Sequence, residues 1–381
     1  MPEPDRAPVL LAAGGTGGHL FPAEALAAAL TRHGFMVHLA TDRRAARYGE
    51  AFAEEAVHVI ASATLRARNP IAMARTGAML GRGFLQALAL IGRLKPAAVV
   101  GFGGYPTIPP VLAAVWRGVP TVIHDANAVI GRANRFLAPR VTAIATTFPD
   151  VFRNHPELAA KAKLTGNPVR PAVVAAASTP YPASDKRLRV LVVGGSQGAR
   201  IFGEIVPPAL GTLPAELRSG LRVSQQARPE DKDAVATAYR ALAIEVEIES
   251  FFNDMPTRLQ RAHLVICRAG ASTIGELAAV GRPAILVPYP HAMDDHQTAN
   301  AGEFSSAGGG WMIPQPEFTP TLLADRLAAL IADPARLAKA AAASREFARD
   351  DAAEHLAGLV QSLIHGSNGG SLGGGPMERA A

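Results

Sequence analysis

Twice in this chain a short apolar run gives way to a glycine-rich turn and then to a helix, and that repeated unit limits the fold more tightly than any other feature. The first copy is Val9-Leu10-Leu11-Ala12-Ala13, then Gly14-Gly15-Thr16-Gly17-Gly18-His19, then an alanine-rich stretch expected to be helical over residues 20–33. The second is Val190-Leu191-Val192-Val193 followed by Gly194-Gly195-Ser196-Gln197-Gly198-Ala199-Arg200. Apolar runs of this length without alternation read as strands buried on both faces, as in a parallel sheet. A glycine turn between such a strand and a helix lets backbone N–H groups and the positive end of the helix dipole meet a phosphate. Further strands are expected at residues 37–40, 57–60, 98–101, 121–124 and 141–145 in the first half, and at 221–224 and 246–248 in the second. Strands alternating with helices define an α/β class, and the restart at Val190 predicts two Rossmann-like domains.

A third stretch, residues 264–300, carries the densest set of polar side chains at predicted strand ends. Leu264-Val265-Ile266-Cys267 reads as a strand, Ala269-Gly270-Ala271 as a turn too small to obstruct a ligand, and Ser272 or Thr273 as a helix cap with Glu276 completing a capping box. The same residues have a second reading, in which the helix N-terminus faces a phosphate and Glu276 accepts hydrogen bonds from ribose hydroxyls. The strand over residues 283–288 then leads to His291, Asp294, Asp295, His296, Gln297 and Asn300. In the first half, Gly101-Phe102-Gly103-Gly104-Tyr105-Pro106 is a glycine cluster at a strand end, and His124-Asp125-Ala126-Asn127 ends the next strand. Both lie on the side where doubly wound sheets bind ligands, and a turn needing positive φ or a capping Asn127 is the plainer alternative.

The 381 residues suffice for two domains with full cores, and 49% hydrophobic against 18% charged residues is a globular balance. Cys267 is the single cysteine, which excludes a disulfide framework and favours a reducing compartment. Residues 1–8 carry acids and prolines rather than a basic start and an apolar core, so the expectation is a cytoplasmic protein without a secretory signal. The net charge of +6 is concentrated in the first half. Residues 56–124 contain no acid but include Arg66, Arg68, Arg75, Arg82, Arg93, Lys95 and Arg117, interleaved with Met73, Met79, Phe84 and Leu85. Basic and apolar residues mixed in this way suit an anionic membrane surface better than nucleic acid, which would call for stacking aromatics.

Four ordered motifs carry a resemblance. Gly14-Gly15-Thr16-Gly17-Gly18-His19-Leu20-Phe21-Pro22, Gly194-Gly195-Ser196-Gln197-Gly198-Ala199, Cys267-Arg268-Ala269-Gly270-Ala271-Ser272-Thr273 and His296-Gln297-Thr298-Ala299-Asn300-Ala301 together resemble the MurG family, over nearly the whole chain up to the tail. Members transfer N-acetylglucosamine from UDP-GlcNAc to lipid I, the undecaprenyl-pyrophosphoryl-MurNAc-pentapeptide, giving lipid II for peptidoglycan. The resemblance implies a GT-B glycosyltransferase fold, two Rossmann-like domains facing a cleft. Residues 1–167 would form the acceptor- and membrane-facing domain and 168–346 the UDP-GlcNAc-binding domain. Residues 347–365 would be a helix packing back towards the N-terminal domain, and 366–381 a disordered tail. It also implies a peripheral protein on the cytoplasmic face of the inner membrane, with cell-wall synthesis and division proteins as possible partners.

The family's donor contacts map onto Thr16, Gly17, Gly18, Asn127, Arg170, Ser196, Ala271, Ser272, Thr273, Glu276 and Gln297, with Phe252 where a backbone contact to uracil is made. The chain departs from the family at Asp125-Ala126, where His-Glu-Gln-Asn is usual, so a role for that glutamine side chain is lost while Asn127 remains. The family inverts at the anomeric carbon, so UDP leaves carrying new charge. Asp231-Lys232-Asp233 is the one Asp-x-Asp motif, but it follows Pro229 at a helix start and reads as a solvated first turn. No metal or other cofactor is expected, and the diphosphate is assigned to Ser196, Arg170 and helix N-termini. His291 and His296 with Asp294 and Asp295 match no recognised metal spacing and suit a polar sugar pocket better. His19, ending the first glycine turn, is the candidate general base, with Asp125 as the competing residue.

Three other functions fit part of the pattern. An NAD-dependent oxidoreductase would use the first glycine turn and Asp42, but Leu20 occupies the place of a third glycine and the second nucleotide-type domain goes unexplained. A non-catalytic sugar-nucleotide or membrane-surface protein would need no acceptor groove. Another GT-B UDP-sugar transferase acting on a lipid or small acceptor is the nearest alternative.

Overall fold

The computed structural model describes residues 7–14, 17–42, 52–63, 70–183, 187–195, 198–349 and 351–369. The chain folds into two compact units, one of Met1–Ala126, Ile130–Pro168 and Asp351–Ala381, the other of Asn127–Val129 and Val169–Asp350. The second crossing falls after Asp350, beyond the helix Pro334–Phe347.

The first unit is built on seven parallel strands, β1 (Val9–Ala12), β2 (Val37–Thr41), β3 (Val57–Val59), β4 (Ala98–Gly101), β5 (Thr121–Asp125), β6 (Ala143–Thr146) and β7 (Ala162–Leu164), in the order β3-β2-β1-β4-β5-β6-β7. Alternate residues of β1 serve different cores: Val9 and Leu11 pack with the helices Gly17–Arg32 and Ala352–Gly369, Leu10 and Ala12 with Pro70–Leu94 and Ile108–Trp116. A parallel sheet covered on both faces explains why β1 reads as continuous apolar sequence. The order reverses direction at β1 and β4, whose register Ala12↔Gly101 brings the first glycine turn beside the Gly103-Gly104 cluster.

Helix Ala352–Gly369 contributes Leu356, Ala357, Val360 and Ile364 to the core over Gly17–Arg32. Glu354 accepts hydrogen bonds from Arg32 at 2.5 Å and His33 at 2.7 Å. The helix runs to Gly369, four residues into the stretch expected to be disordered, because extending a formed helix adds one hydrogen bond per residue fixed. Residues 370–381 of that expectation lie outside the described residues.

The second unit repeats the plan with β8 (Leu188–Val193), β9 (Leu221–Gln226), β10 (Glu245–Glu249), β11 (Leu264–Cys267), β12 (Ala284–Leu286) and β13 (Gly310–Met312), all parallel, in the order β10-β9-β8-β11-β12-β13. One face packs Val190 and Val192 with Phe202, Tyr239 and Leu327, the other Leu191 and Val193 with Ile274, Leu277 and Phe304. β7 and β13 are not among the expected strands. Each has three residues at a sheet edge, and neither forms an apolar run: β7 has Lys163 at its centre and β13 opens on Gly310.

Candidate functional site

In the second unit the helix Ala271–Val280 starts directly after β11. Its N-cap is Gly270, with φ −67° and ψ 143°, and no side chain caps it. The capping role expected of Ser272 or Thr273 is therefore corrected: both lie inside the first turn, because the tight Ala269-Gly270 turn lets the helix begin at Ala271. The first bond of the helix runs from Ile274 N–H to the Gly270 carbonyl. Glu276 closes no capping box either. Its Oε1 accepts from Arg170 Nη2 at 2.7 Å and Nε at 3.2 Å, and the two side chains are 13% and 28% exposed, enough enclosure to make this more than a surface pair. Burial raises the Glu276 carboxyl above its ordinary range, and Arg170 works against that rise. Arg170 is fixed by its own backbone, as the N-cap residue of helix Pro171–Ala176 with Pro171 at N1.

Gln297 and Asn300 lie three residues apart on the helix His296–Ser306 and therefore share a face. Gln297 Oε1 accepts from Ala269 N–H at 3.2 Å and Tyr289 N–H at 2.9 Å. Asn300, fully buried, donates through Nδ2 to the Ala269 carbonyl at 3.2 Å and to Asn127 Oδ1 at 3.0 Å, and its Oδ1 accepts from Ala128 N–H at 2.8 Å. The Ala269 peptide is thus held at both its N–H and C=O by one helix face. Arg268 clamps the same turn through the carbonyls of Val287 and Pro288, both 3.1 Å away, and Gln315 Oε1 at 2.6 Å. The sequence marks Asn300 only as one of the polar residues after the 283–288 strand and within the His296–Ala301 motif, with no partner assigned, and Arg268 only through its place in the Cys267–Thr273 motif.

Phe252 is buried, and the Arg258 guanidinium lies 3.9 Å from its ring centroid while bonding Glu247 through both Nη atoms at 2.6 Å and Asp254 through Nε at 2.7 Å. Cys267 is fully buried and its thiol is pushed up to about 12, which leaves no thiolate for chemistry. Asp231 pairs with Arg228 at 2.6 Å in the turn ahead of helix Lys232–Ala241. Among the described residues no group of three or more His, Cys, Asp or Glu side chains is placed to hold a metal ion. Ser196, with its whole tip of the second glycine turn, lies outside the described residues, as does Thr16 of the first.

In the first unit Gly17, Gly18 and His19 are the first three residues of a helix that begins earlier than expected, Gly17–Arg32. The His19 ring packs close against the glycine cluster. A Cβ on Gly103 would sit 3.3 Å from His19 Cε1 and one on Gly104 3.4 Å from Cδ2, and both glycines have positive φ, 91° and 76°. Any side chain there would push the imidazole away. His124, fully buried at the end of β5, donates from Nε2 to the Gly166 carbonyl at 3.0 Å. Burial lowers it to about 4, so it is neutral, with the Gly166 bond pulling the other way and His19 adding to the fall. Asp125 Oδ2 accepts from Gly131 N–H at 2.9 Å and Asn134 Nδ2 at 3.0 Å, holding the loop that enters helix Arg132–Leu137.

The helix Pro70–Leu94 carries the acid-free region. Met73, Met79 and Leu85 are 53%, 39% and 66% exposed beside the exposed Arg75 and Arg82. Phe84 belongs instead to the core beneath, one position round the helix from Leu85. Arg66 and Arg68 lie outside the described residues, and no helix among them is long and apolar enough to cross a membrane.

Two doubly wound units, each with a glycine turn at a strand end and a nucleotide-type helix N-terminus in the second, define a GT-B glycosyltransferase. The chain belongs to glycosyltransferase family 28, whose N-terminal domain matches residues 9–146 and whose C-terminal domain matches residues 189–356. Within it the chain falls with the MurG transferases. It is 57% identical over 354 residues, 92% of this chain and 94% of the relative, to the UDP-N-acetylglucosamine--N-acetylmuramyl-(pentapeptide) pyrophosphoryl-undecaprenol N-acetylglucosamine transferase of Rhodopseudomonas palustris strain BisB18. To the enzyme of the same name from Nitrobacter hamburgensis it is 54% identical over 357 residues, covering 93% and 96% of the two chains. Among solved structures it resembles Acinetobacter baumannii MurG, with 30% identity, a TM-score of 0.76, and 93% and 99% of the two chains covered.

Proposed function

We propose that this chain is the inverting transferase that moves N-acetylglucosamine from UDP-GlcNAc to the muramyl sugar of lipid I, giving lipid II. The observation that carries the reading is the Ala269–Glu276 segment. A helix N-terminus without a side-chain cap follows a turn whose peptide is clamped by Gln297 and Asn300, with Arg170 and Glu276 paired one turn along. A nucleotide diphosphate needs those parts: N–H groups and a guanidinium for phosphate, a carboxylate for ribose hydroxyls.

In this reading Glu276 accepts the ribose hydroxyls, Phe252 presents backbone to uracil, and Arg170 and Ser196 take the diphosphate. The helix start at Ala271, Ser272 and Thr273 adds backbone N–H groups, while Asn127 and Gln297 orient the sugar. Charge developing on the leaving UDP is met by Arg170 and the helix dipole. Thr16, Gly17 and Gly18 complete the donor contacts. His19 takes the proton from the attacking hydroxyl as the new glycosidic bond forms. Asp125 is the alternative base, but its Oδ2 already holds the Gly131 and Asn134 donors.

Met73, Met79 and Leu85 with Arg75 and Arg82 dock on an anionic membrane surface, which presents the enzyme to a lipid-linked acceptor. A peripheral place on the cytoplasmic face of the inner membrane follows, where cell-wall synthesis and division proteins are the expected company.

The deciding experiment is turnover of a lipid I analogue with radiolabelled UDP-GlcNAc. Transfer to the muramyl hydroxyl supports the reading. Donor binding with transfer only to a different acceptor would make the chain another GT-B UDP-sugar transferase, and donor binding without any transfer a binding protein.

A further inference from the structure

Gln226 is the last residue of β9, which lies between β10 and β8 in a parallel sheet. The C-terminal ends of the three strands therefore stand side by side. A side chain at the end of the middle one is flanked by the glycine turn that leaves β8 and by the Ser250–Phe252 segment that leaves β10. Gln226 is 3% exposed, and its amide is spent on both neighbours. Oε1 accepts from Gly194 N–H at 3.0 Å, while Nε2 donates to the carbonyl of Gly195 at 3.0 Å and to that of Ser250 at 3.1 Å. Gly195 has φ +88°, and a Cβ on Gly194 would lie 2.2 Å from Ala199 N, so the turn is folded tightly onto itself at the point where Gln226 grips it. One acceptor and two donors on a single planar group is what a primary amide offers and a carboxylate does not.

We propose that Gln226 is a positioning residue for the nucleotide diphosphate: it fixes the spacing between the turn that receives the phosphates and the segment that receives uracil, so that the two ends of UDP are read as one rigid ligand. This rests on the donor assignment above. Arg258, stacked on Phe252, holds the ring of the uracil segment, so that segment is tied at its backbone by Gln226 and at its side chain by Arg258.

The test compares wild type with Gln226→Leu, which removes all three bonds, and Gln226→Glu, which keeps the acceptor for Gly194 but sets a carboxylate against two carbonyls. For each, UDP and uridine affinities are measured by calorimetry, and kcat and KM with UDP-GlcNAc. Both variants should raise the UDP Kd and the donor KM about tenfold or more, the scale of one or two buried hydrogen bonds, while kcat and acceptor KM stay nearly unchanged. The affinity gained on going from uridine to UDP should shrink by a similar factor. A lowered melting temperature with an unaltered donor KM would make Gln226 merely structural and overturn the proposal, as would an equal loss for uridine and UDP. Should either variant fail to fold, hydrogen exchange on the wild type decides. The Gly194 amide should be protected without UDP, and exchange there at the rate of an unstructured peptide would overturn the proposal. Failure of the wild type to bind UDP would instead overturn the donor assignment, and this inference with it.

Discussion

Arg170 Nη2 and Glu276 Oε1 are 2.7 Å apart, so the guanidinium assigned to phosphate and the carboxylate assigned to ribose form one charged unit. Neither can be changed without altering what the other sees. Glu276→Ala should weaken UDP binding by about 1 to 3 kcal/mol, the range for charge-assisted bonds. Arg170→Ala should cost both affinity and stability, because it leaves a buried carboxylate without its partner. The double variant should lose less affinity than the two single losses added together. Calorimetric titration of all four proteins with UDP checks this, and strict additivity would dissolve the unit.

His19→Ala tests the base. The rate of the chemical step should fall by about 10² fold or more with donor affinity little changed, and the acidic limb of the pH profile of kcat should vanish. Asp125→Asn should retain that limb. If the histidine variant keeps the limb but binds donor poorly, His19 is a binding residue and Asp125 becomes the base to examine.

For the membrane surface, the residues to change are those the helix Pro70–Leu94 exposes. Replacing Arg75 and Arg82 with glutamate, or Leu85 with serine, should sharply lower sedimentation with anionic vesicles and leave turnover of a soluble acceptor analogue nearly intact. Phe84→Ser should instead unfold the protein at lower temperature, because Phe84 packs on the core. Vesicle binding unaltered by the charge reversals would remove the idea.

His124 gives a pH dependence of stability with a definite sign. Its folded value is about 4 against an ordinary 6.5, so above the ordinary value neither state holds the proton and the residue contributes no slope. As the pH falls the unfolded chain takes up the proton first, and stability is lost down to the folded value, by up to about 3 kcal/mol in all. His124→Gln should flatten this part of the curve. Urea unfolding of both proteins between neutral pH and pH 4.5 measures the difference, and parallel curves would show that His124 is not held neutral by its burial.

Most strands were legible because a strand buried on both faces has to be apolar throughout, and the glycine turns because a tight strand-to-helix turn leaves little room for side chains. What escaped was set by partners distant in sequence. Thr273 and Glu276 have the spacing of a capping box, yet Gly270 starts the helix and Glu276 turns to Arg170, over a hundred residues upstream. Asn300 is marked in the sequence only as a polar residue after a strand and Gln226 not at all, and their roles appear only once a carbonyl and an N–H from other loops are seen to converge on them. Leu85 and Phe84 are indistinguishable as apolar neighbours until the helix is rotated onto its sheet.

Helix Ala352–Gly369 fills the core over Gly17–Arg32, and so dictates an order of events during synthesis. A ribosome releases Leu20, Leu26 and Leu30 hundreds of residues before Leu356 and Val360 emerge to cover them. The later unit, nearly continuous from Val169 to Asp350, already has all of its core residues in hand by then. The half of the protein made first is therefore the half completed last, and until its final helix arrives the nascent chain must keep an apolar face shielded from other chains.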